Sequence, residues 1–415
     1  MKSLEERFLK YVQIDTQSED GREEVPSTEK QKDLAKVLVR ELKELGLKDA
    51  EMDEHGYVYA TLPANDDKKG VPAIGFLAHM DTAPDCSGTG VKPRVIENYD
   101  GGDIVLNDAG MTLSPEETPV LKKMTGQSLI VTDGTTLLGG DDKAGVAAIM
   151  TMLDDLYDHP ELHHGKVCVC FTPDEEVGNG PKYFDVKKFG ADYAYTLDGG
   201  GLGEVNYETF NAASLKVTVH GVQTHPGDAK DRMKNSIKIA EEFDAMLPAN
   251  EVPEKTQDRE GFFHLMEFHG TVPETTMSYI IRDHDAVLFG HRKLMARKCA
   301  EELNKRYGDG TVEIALKDSY RNMAEVLKGH MHLIHTACDV MKELGVEPRV
   351  TAVRGGTDGS QISFMGLPCP NLCDGDYNEH SLKEFVSIDE MKTSGKIALR
   401  ILLKYFENPE RCAEK

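Results

Sequence analysis

Five short acidic or histidine-bearing pieces lie far apart in this chain: His79-Met80-Asp81, Gly140-Asp141-Asp142-Lys143, Asp174-Glu175-Glu176, Leu197-Asp198-Gly199-Gly200 and His380. Carboxylate oxygens and imidazole nitrogens without paired thiolates are the donors that a borderline divalent metal such as zinc takes when its site stays open to water and substrate. The set reads as a dinuclear metal centre, and an open centre points to catalysis. Metal-bound imidazole commonly passes its other N–H to a carboxylate, so Asp81 is placed to orient His79. Asp141 and Asp142 stand at a helix start, where one aspartate serves as a cap. Two are more than a cap requires, and a carboxylate can bridge two ions with its two oxygens. Asp141 is therefore read as the bridging ligand and Asp142 as the capping or supporting residue. Of Glu175 and Glu176, one is expected on metal and the other free to move a proton, with their order left open by the residues alone. Asp198 precedes a glycine pair that is also a turn signal. His380 is one of 15 histidines, and its company is what marks it out.

The elements that must carry these groups can be read around them. Ser3-Leu4-Glu5-Glu6 fits a capping box, and Leu4, Phe8 and Tyr11 recur at helical spacing, which predicts a first helix. A second is expected from about Thr28 to Leu45, stopped by Gly46. The apolar runs at 73–78, 167–171 and 193–197 read as buried strands that end just before His79, Glu175 and Asp198. Beyond the carboxyl ends of such strands lies the ligand crevice of an open α/β sheet. Asp141 sits just ahead of the helical stretch Ala144 to Tyr157.

From roughly Asn211 to Tyr320 the pattern changes. Residues 215–219 alternate, a helix follows from about Asn235 to Met246, 277–282 is a strand, a long helix runs from about Ala286 to Arg306, and 311–316 is a strand. These five elements fall within a β-α-β-β-α-β order, which predicts an inserted α+β domain of the ferredoxin-like kind. The helix from Ala324 to Leu344, the loop Arg354-Gly355-Gly356-Thr357-Asp358-Gly359-Ser360 and His380 read as a return to the first domain. The expected division is 1–210 with 321–415, and 211–320 inserted.

Acidic residues number 72 against 48 basic ones, a formal charge of -24, which argues against nucleic acid and anionic membranes as partners. Met1 to Glu6 lacks the basic and apolar regions of a signal peptide, and no apolar run approaches the roughly 18 residues that span a bilayer, so a cytoplasmic protein is expected. The 8 cysteines form no Cys-x-x-Cys pair and read as reduced thiols, Cys168 and Cys170 being core residues of a strand. Gly199-Gly200-Gly201-Leu202-Gly203 does not fit a dinucleotide-binding spacing.

Together with the ligand motifs, the stretches Asp81-Thr82-Ala83-Pro84-Asp85, Glu97-Asn98-Tyr99-Asp100-Gly101-Gly102-Asp103, Thr132-Asp133-Gly134-Thr135-Thr136-Leu137-Leu138-Gly139, Tyr279-Ile280-Ile281-Arg282-Asp283 and Arg354-Gly355-Gly356-Thr357-Asp358-Gly359 make the chain similar, over nearly its whole length, to the tripeptide aminopeptidases of the M20 class of di-zinc metallopeptidases. The resemblance implies an α/β, zinc-peptidase-like catalytic domain, its mixed, largely parallel sheet flanked by helices, and an inserted domain that acts as lid and dimerisation module. It implies two Zn²⁺ per subunit, with Co²⁺ or Mn²⁺ able to substitute: one on His79 and Asp198, one on Glu176 and His380, Asp141 bridging them. It makes Glu175 the general base and Asp81 the residue that orients His79. It places His225, supplied by the partner subunit in some relatives, at the transition state and Arg282 near the substrate carboxylate. Release of the N-terminal residue from a short peptide is the expected reaction. The alternatives are a dipeptidase, a carboxypeptidase or an N-acyl amino acid deacylase, and further off a non-catalytic peptide- or metal-binding protein. A pocket that measures tripeptides needs a group for the free amine at one end and a cation at the other, for which Arg282 and Arg354 are the candidates. Two departures stand out: Gln223-Thr224 where the class more often has Asn-Val, and Asp376-Tyr377-Asn378-Glu379 ahead of His380 in place of a Gly-rich turn. Gly140, where alanine is common, is expected to matter little.

Overall fold

In the computed structural model, which describes residues 2–413, the chain forms two units, each with its own sheet and core. The first comprises the residues up to Tyr207, Met323–Thr351 and those from Thr357 on; the second is Glu208–Asn322 with Ala352–Gly356.

The first unit is built on eight strands: β1 (Glu51–Met52), β2 (Val58–Leu62), β3 (Ile74–His79), β4 (Val167–Thr172), β5 (Tyr193–Leu197), β6 (Glu204–Glu208), β7 (Arg349–Ala352) and β8 (Asn371–Leu372). Their order across the sheet is β1-β2-β4-β3-β5-β8-β6-β7. The sheet is mixed: β4, β3, β5 and β8 run parallel to one another, whereas β2 is antiparallel to β4 and β6 to β8. The parallel strands are buried along nearly their whole length and largely apolar, both their faces being covered. Phe76, Val169 and Phe171 face a core shared with Phe8, Leu38, Ile149 and Ile401, while Leu77, Cys168 and Cys170 face a second cluster with Phe184, Phe189 and Leu367. All eight cysteines are free thiols.

Helix α1 (Leu4–Val12) opens on the expected capping box, Ser3 and Glu6 exchanging side-chain-to-backbone bonds. Helix α2 (Gln31–Glu44) begins three residues later than its apolar stripe suggested, and α3 (Gly140–Asp158) starts at the acidic pair. The single helix expected from Ala324 to Leu344 is two, Ala324–Leu327 and His332–Glu343. Gly329 falls in the break, where the His330 N–H turns back to the Leu327 carbonyl at 2.8 Å. A small antiparallel sheet of Arg94–Ile96, Leu129–Val131, Phe385–Ser387 and Asp376–Tyr377 frames the loop that carries His380.

The second unit has the β-α-β-β-α-β order: Asn211–His220, Ser236–Ala245, Phe262–Gly270, Glu274–Asp283, Ala286–Tyr307 and Val312–Tyr320. Its four strands are antiparallel, with Phe262–Gly270 and Val312–Tyr320 at the edges. Leu215, Val217, Val219, Tyr279 and Ile281 pack with Ile239, Phe243, Ala296 and Leu303 of the two helices. Strand Phe262–Gly270 was not assigned from sequence because its outer half is exposed on both faces and a register shift at Leu265/Glu267 breaks the alternation. The strip Ala352–Gly356 was read with the first domain, yet it clusters with the second unit. There the Val353 N–H donates to the Glu208 carbonyl at 2.9 Å and Phe210 donates to Gly355 at 3.2 Å. Among the described residues no helix is long and apolar enough to cross a membrane.

Candidate metal centre

Three neighbouring parallel strands converge on one place. His79 is the last residue of β3, Asp198 follows β5 directly, and Asp174-Glu175-Glu176 follows β4 across Pro173. Helix α3 brings its own start to the same crevice, and can do so because residue 145 is glycine: a Cβ there would lie 2.1 Å from the Leu197 carbonyl oxygen. Asp141 and Asp142 are off the helical region and the peptide between them is cis.

Two groups of donors result, sharing Asp141. His79, Asp141 and Asp198 form one, Asp141, Glu176 and His380 the other, and within each group the donor atoms all lie within 4.8 Å of one another. The His79 Nε2 is 2.8 Å from Asp141 Oδ1 and 3.8 Å from Asp198 Oδ1. On the other side, His380 Nε2 is 3.3 Å from Asp141 Oδ2 and 2.9 Å from Glu176 Oε2. The two oxygens of Asp141 thus face two different imidazoles. Glu175 belongs to neither group and lines a hollow with His79, Thr172, Asp198 and Asp358.

Around the donors stands a shell of fixed hydrogen bonds. Asp142 does two jobs that sequence offered as alternatives: its Oδ1 accepts the Gly145 N–H at 3.0 Å as a helix cap, and its Oδ2 accepts the His79 N–H at 3.0 Å. Asp81 also does more than expected. The His79 Nδ1 lies 3.1 Å from the Asp81 backbone carbonyl and 3.4 Å from its carboxylate, while that carboxylate accepts the N–H groups of Glu175 at 3.0 Å and Glu176 at 3.2 Å. Sequence reading missed Glu384, which is buried and accepts four successive N–H groups, Leu138, Gly139, Gly140 and Asp141, between 2.5 and 3.2 Å. It missed Asp358 as well, a buried carboxylate that accepts the Thr172 hydroxyl at 2.6 Å. No local pattern marks either residue, since their partners are 186 to 246 positions away. Gly140, expected to be of little account, is held to glycine by its surroundings: a Cβ there would sit 2.4 Å from Asp376 Oδ1 and 2.5 Å from Val386 Cγ2.

The electrostatics are those of a cage short of positive charge. Burial pushes the Glu175 and Asp198 carboxyls well above the usual range, with Asp198 adding its charge against Glu175 and Asp141 against Asp198. Burial and the Asp141 charge push Glu176 up to about 7. Burial would raise Asp141 too, but the bonds from His380 and His79 hold it below its ordinary value. His380 is pushed up to about 11 by its bonds to Asp141 and Glu176. Burial works against the His79 imidazolium, yet the Asp141 bond and charge overcome it and raise that group too. In addition the buried Glu176 Oε1 has no hydrogen-bond partner among the described residues. Carboxylates and imidazoles crowded at this spacing, with an unpartnered oxygen, fit divalent cations.

The three residues expected to contact substrate lie in the second unit. His225 is exposed and caps the short turn Pro226–Asp228, its Nδ1 accepting from Gly227 at 3.1 Å. Arg282 donates to the carbonyls of Ile281 at 3.1 Å and Ala213 at 3.4 Å and lies over the Tyr320 ring. Arg354 donates to the carbonyls of Asp258 and Glu260 and to Thr256 Oγ1 at 2.9 to 3.0 Å, and lies over the rings of Phe210 and Phe262. All of these hydrogen-bond and ring contacts lie within its own unit.

The profile of peptidase family M20/M25/M40 matches residues 132–404, and the chain is 54% identical to the peptidase T of Caldanaerobacter subterraneus subsp. tengcongensis over 98% of its own length and 99% of that protein. The chain belongs to the M20/M25/M40 peptidase family. Among solved structures its fold resembles the aminopeptidase PepT of Bacillus cereus, with a TM-score of 0.76 at 24% identity, each chain covered to 97%. It also resembles a dinuclear metal binding M20 peptidase of Bacillus subtilis, with a TM-score of 0.65 at 12% identity over 97% of this chain and 98% of that one. This M20 chain is thus a peptidase, and its candidate metal-binding groups gather beyond the carboxyl ends of its central strands.

Proposed function

We propose that this M20 peptidase is a tripeptide aminopeptidase working with two zinc ions. The observation that carries the reading is the shared Asp141, whose Oδ1 faces His79 and whose Oδ2 faces His380. His79 and Asp198 would hold one ion, Glu176 and His380 the other, with Asp141 between them. Two divalent ions bound there supply a field that polarises the scissile carbonyl and acidifies water.

The chain's own groups do the rest. Glu175, outside both donor groups but beside them, takes the proton of the attacking water and returns it to the departing amine. Burial raises its proton affinity, which suits a group that must hold a proton between those two moments. Asp81 fixes the Glu175 and Glu176 backbone and the His79 ring together, so base and ligands keep one spacing. His225 is assigned to the developing oxyanion and Arg282 to the substrate carboxylate by resemblance alone.

Metal content per chain, measured with hydrolysis of free and N-acetylated tripeptides before and after chelation, tests the reading. Two ions, turnover of the free peptide only, and loss of that turnover on chelation are expected. Equal turnover of the N-acetylated peptide would remove the aminopeptidase assignment, and turnover unaffected by chelation would remove the metals.

A further inference from the structure

From the end of α1 into the first residue of α2 the chain runs as a strap, residues 13–31, that contributes no ligand and no group to the chemistry above. Its contacts are nevertheless concentrated on the segments that carry that chemistry. Lys143, two residues past Asp141, donates to the Ile14 carbonyl at 2.9 Å. The Gln17 side chain donates to the carbonyls of Ala83 at 3.0 Å and Cys86 at 2.6 Å, and the Ser18 N–H donates to Thr82 at 3.1 Å, so the loop after His79 and Asp81 is pinned at three points.

The tightest contacts fall on Asp174, the residue before Glu175. Its Oδ2 accepts the Ser27 N–H at 2.6 Å, its Oδ1 accepts the Ser27 hydroxyl and the Gln31 amide, both at 2.6 Å, and its own N–H donates to Gln31 Oε1 at 3.2 Å. Asp174 is fully buried and its φ is 56°, in the left-handed region that costs a side-chain-bearing residue free energy. Aspartate enters that region more readily than most residues, and the clasp from the strap holds it there. On the far side, Asp81 accepts the next two N–H groups, those of Glu175 and Glu176. The short loop is thus gripped from two sides, with Glu175 between the grips.

We infer that Ser27 and Gln31 are positioning residues for Glu175, acting through Asp174, and that the strap is part of the working site. The inference rests on the reading of Glu175 as the group that moves the proton. A general base displaced by an ångström loses on the order of a hundredfold in rate while leaving substrate binding alone, and this separates positioning from simple loop anchoring.

The test uses the full chain loaded with zinc, well below its unfolding temperature, and compares Gln31→Ala, Ser27→Ala and Ser27→Thr with the parent. Gln31→Ala should lower kcat on a tripeptide by about tenfold to a hundredfold with KM within about twofold and metal content unchanged. Ser27→Ala, which keeps the backbone bond, should lose less, and Ser27→Thr should recover the parent rate because it keeps the hydroxyl. Independently of turnover, amide hydrogen exchange across 174–179 should quicken in Gln31→Ala and remain as in the parent in Ser27→Thr. Unchanged exchange across that loop, kcat within about twofold of the parent in both alanine variants, or a fall in kcat matched by lost metal would overturn the inference. A parent protein that fails to cleave the tripeptide would instead remove the functional reading, with the exchange result still deciding whether the strap holds the loop.

Discussion

The two halves of the candidate metal centre are built differently. The His79 half is carried by strand ends: the His79 side chain is 2% exposed, its N–H is held by Asp142 and its Nδ1 by Asp81. The His380 half hangs on a loop: that side chain is 44% exposed, its φ is 57°, and the Asp85 carboxylate on its Nδ1 is 3.4 Å away and itself largely exposed. A ligand at the end of a buried strand keeps its place without metal, whereas a loop-borne ligand must be ordered when the ion binds. The half on His79 and Asp198 should therefore bind tightly and the half on Glu176 and His380 exchange first. Asp141 belongs to both halves and Glu175 to neither, so the loss of either should not discriminate.

Removing the proton-moving group that stands beside both halves should give the largest effect. Glu175→Ala is expected to lower turnover by about 10² to 10⁴ with both ions still bound, measured by steady-state rates beside metal analysis. A variant that keeps its rate would take the proton-moving role away from Glu175.

Asp85→Asn sharpens the contrast, since it touches only the loop-borne half. Partners that orient a metal-bound imidazole are typically worth about 10- to 100-fold in affinity, and this long, exposed contact belongs at the lower end. Competitive chelation should show one of the two ions released more readily and the other unchanged. Equal weakening of both would mean that the halves are not separable.

How far the centre was legible from sequence follows the same divide. His79 and Asp198 announce themselves because an apolar run ends in each, and a buried parallel strand must deliver its last residue to the crevice. His380 follows no such run and was placed by its resemblance to a family pattern. Least legible were the groups whose role is to hold others. Asp174 read as one of three acids in a turn, yet its partners Ser27 and Gln31 are 147 and 143 positions away. Glu384 carries no local signal at all, though it anchors the start of α3. In the second unit, the edge strand Phe262–Gly270 escaped because half of it has no buried face to pattern.

Gly140→Ala probes the scaffold behind the loop. A methyl group would enter space already filled by Asp376 and Val386, and overpacking of that kind costs about 1 to 3 kcal/mol, readable as a lower urea midpoint. Combining it with Asp376→Gly should recover only part of the loss, because Val386 Cγ2 would still lie 2.5 Å from the new methyl group. Unchanged stability of Gly140→Ala would show that the scaffold yields more easily than its packing suggests.

The smallest expected effect is a pH dependence confined to the metal-free protein. Glu176 is pushed up to about 7 and His380 up to about 11, against ordinary values of about 4.3 and 6.5. Without metal the folded chain then binds protons that the unfolded chain releases, so stability falls as pH rises through both windows. The His380 contribution is whole below about pH 6.5 and fades toward its folded value, while the Glu176 penalty builds between about pH 4.3 and 7. Metal-bound donors carry no such protons. The melting temperature of metal-free protein should decline from about pH 5 to 8 relative to the loaded form; parallel profiles would contradict the shifts.

The count of bound metal in Asp141→Ala tests the central claim most directly. If one carboxylate joins two cation sites, the parent should hold two ions per chain and this variant should lose both under the same dialysis. A variant that keeps one ion as tightly as the parent would show that Asp141 serves a single site and that the two donor groups are not one centre.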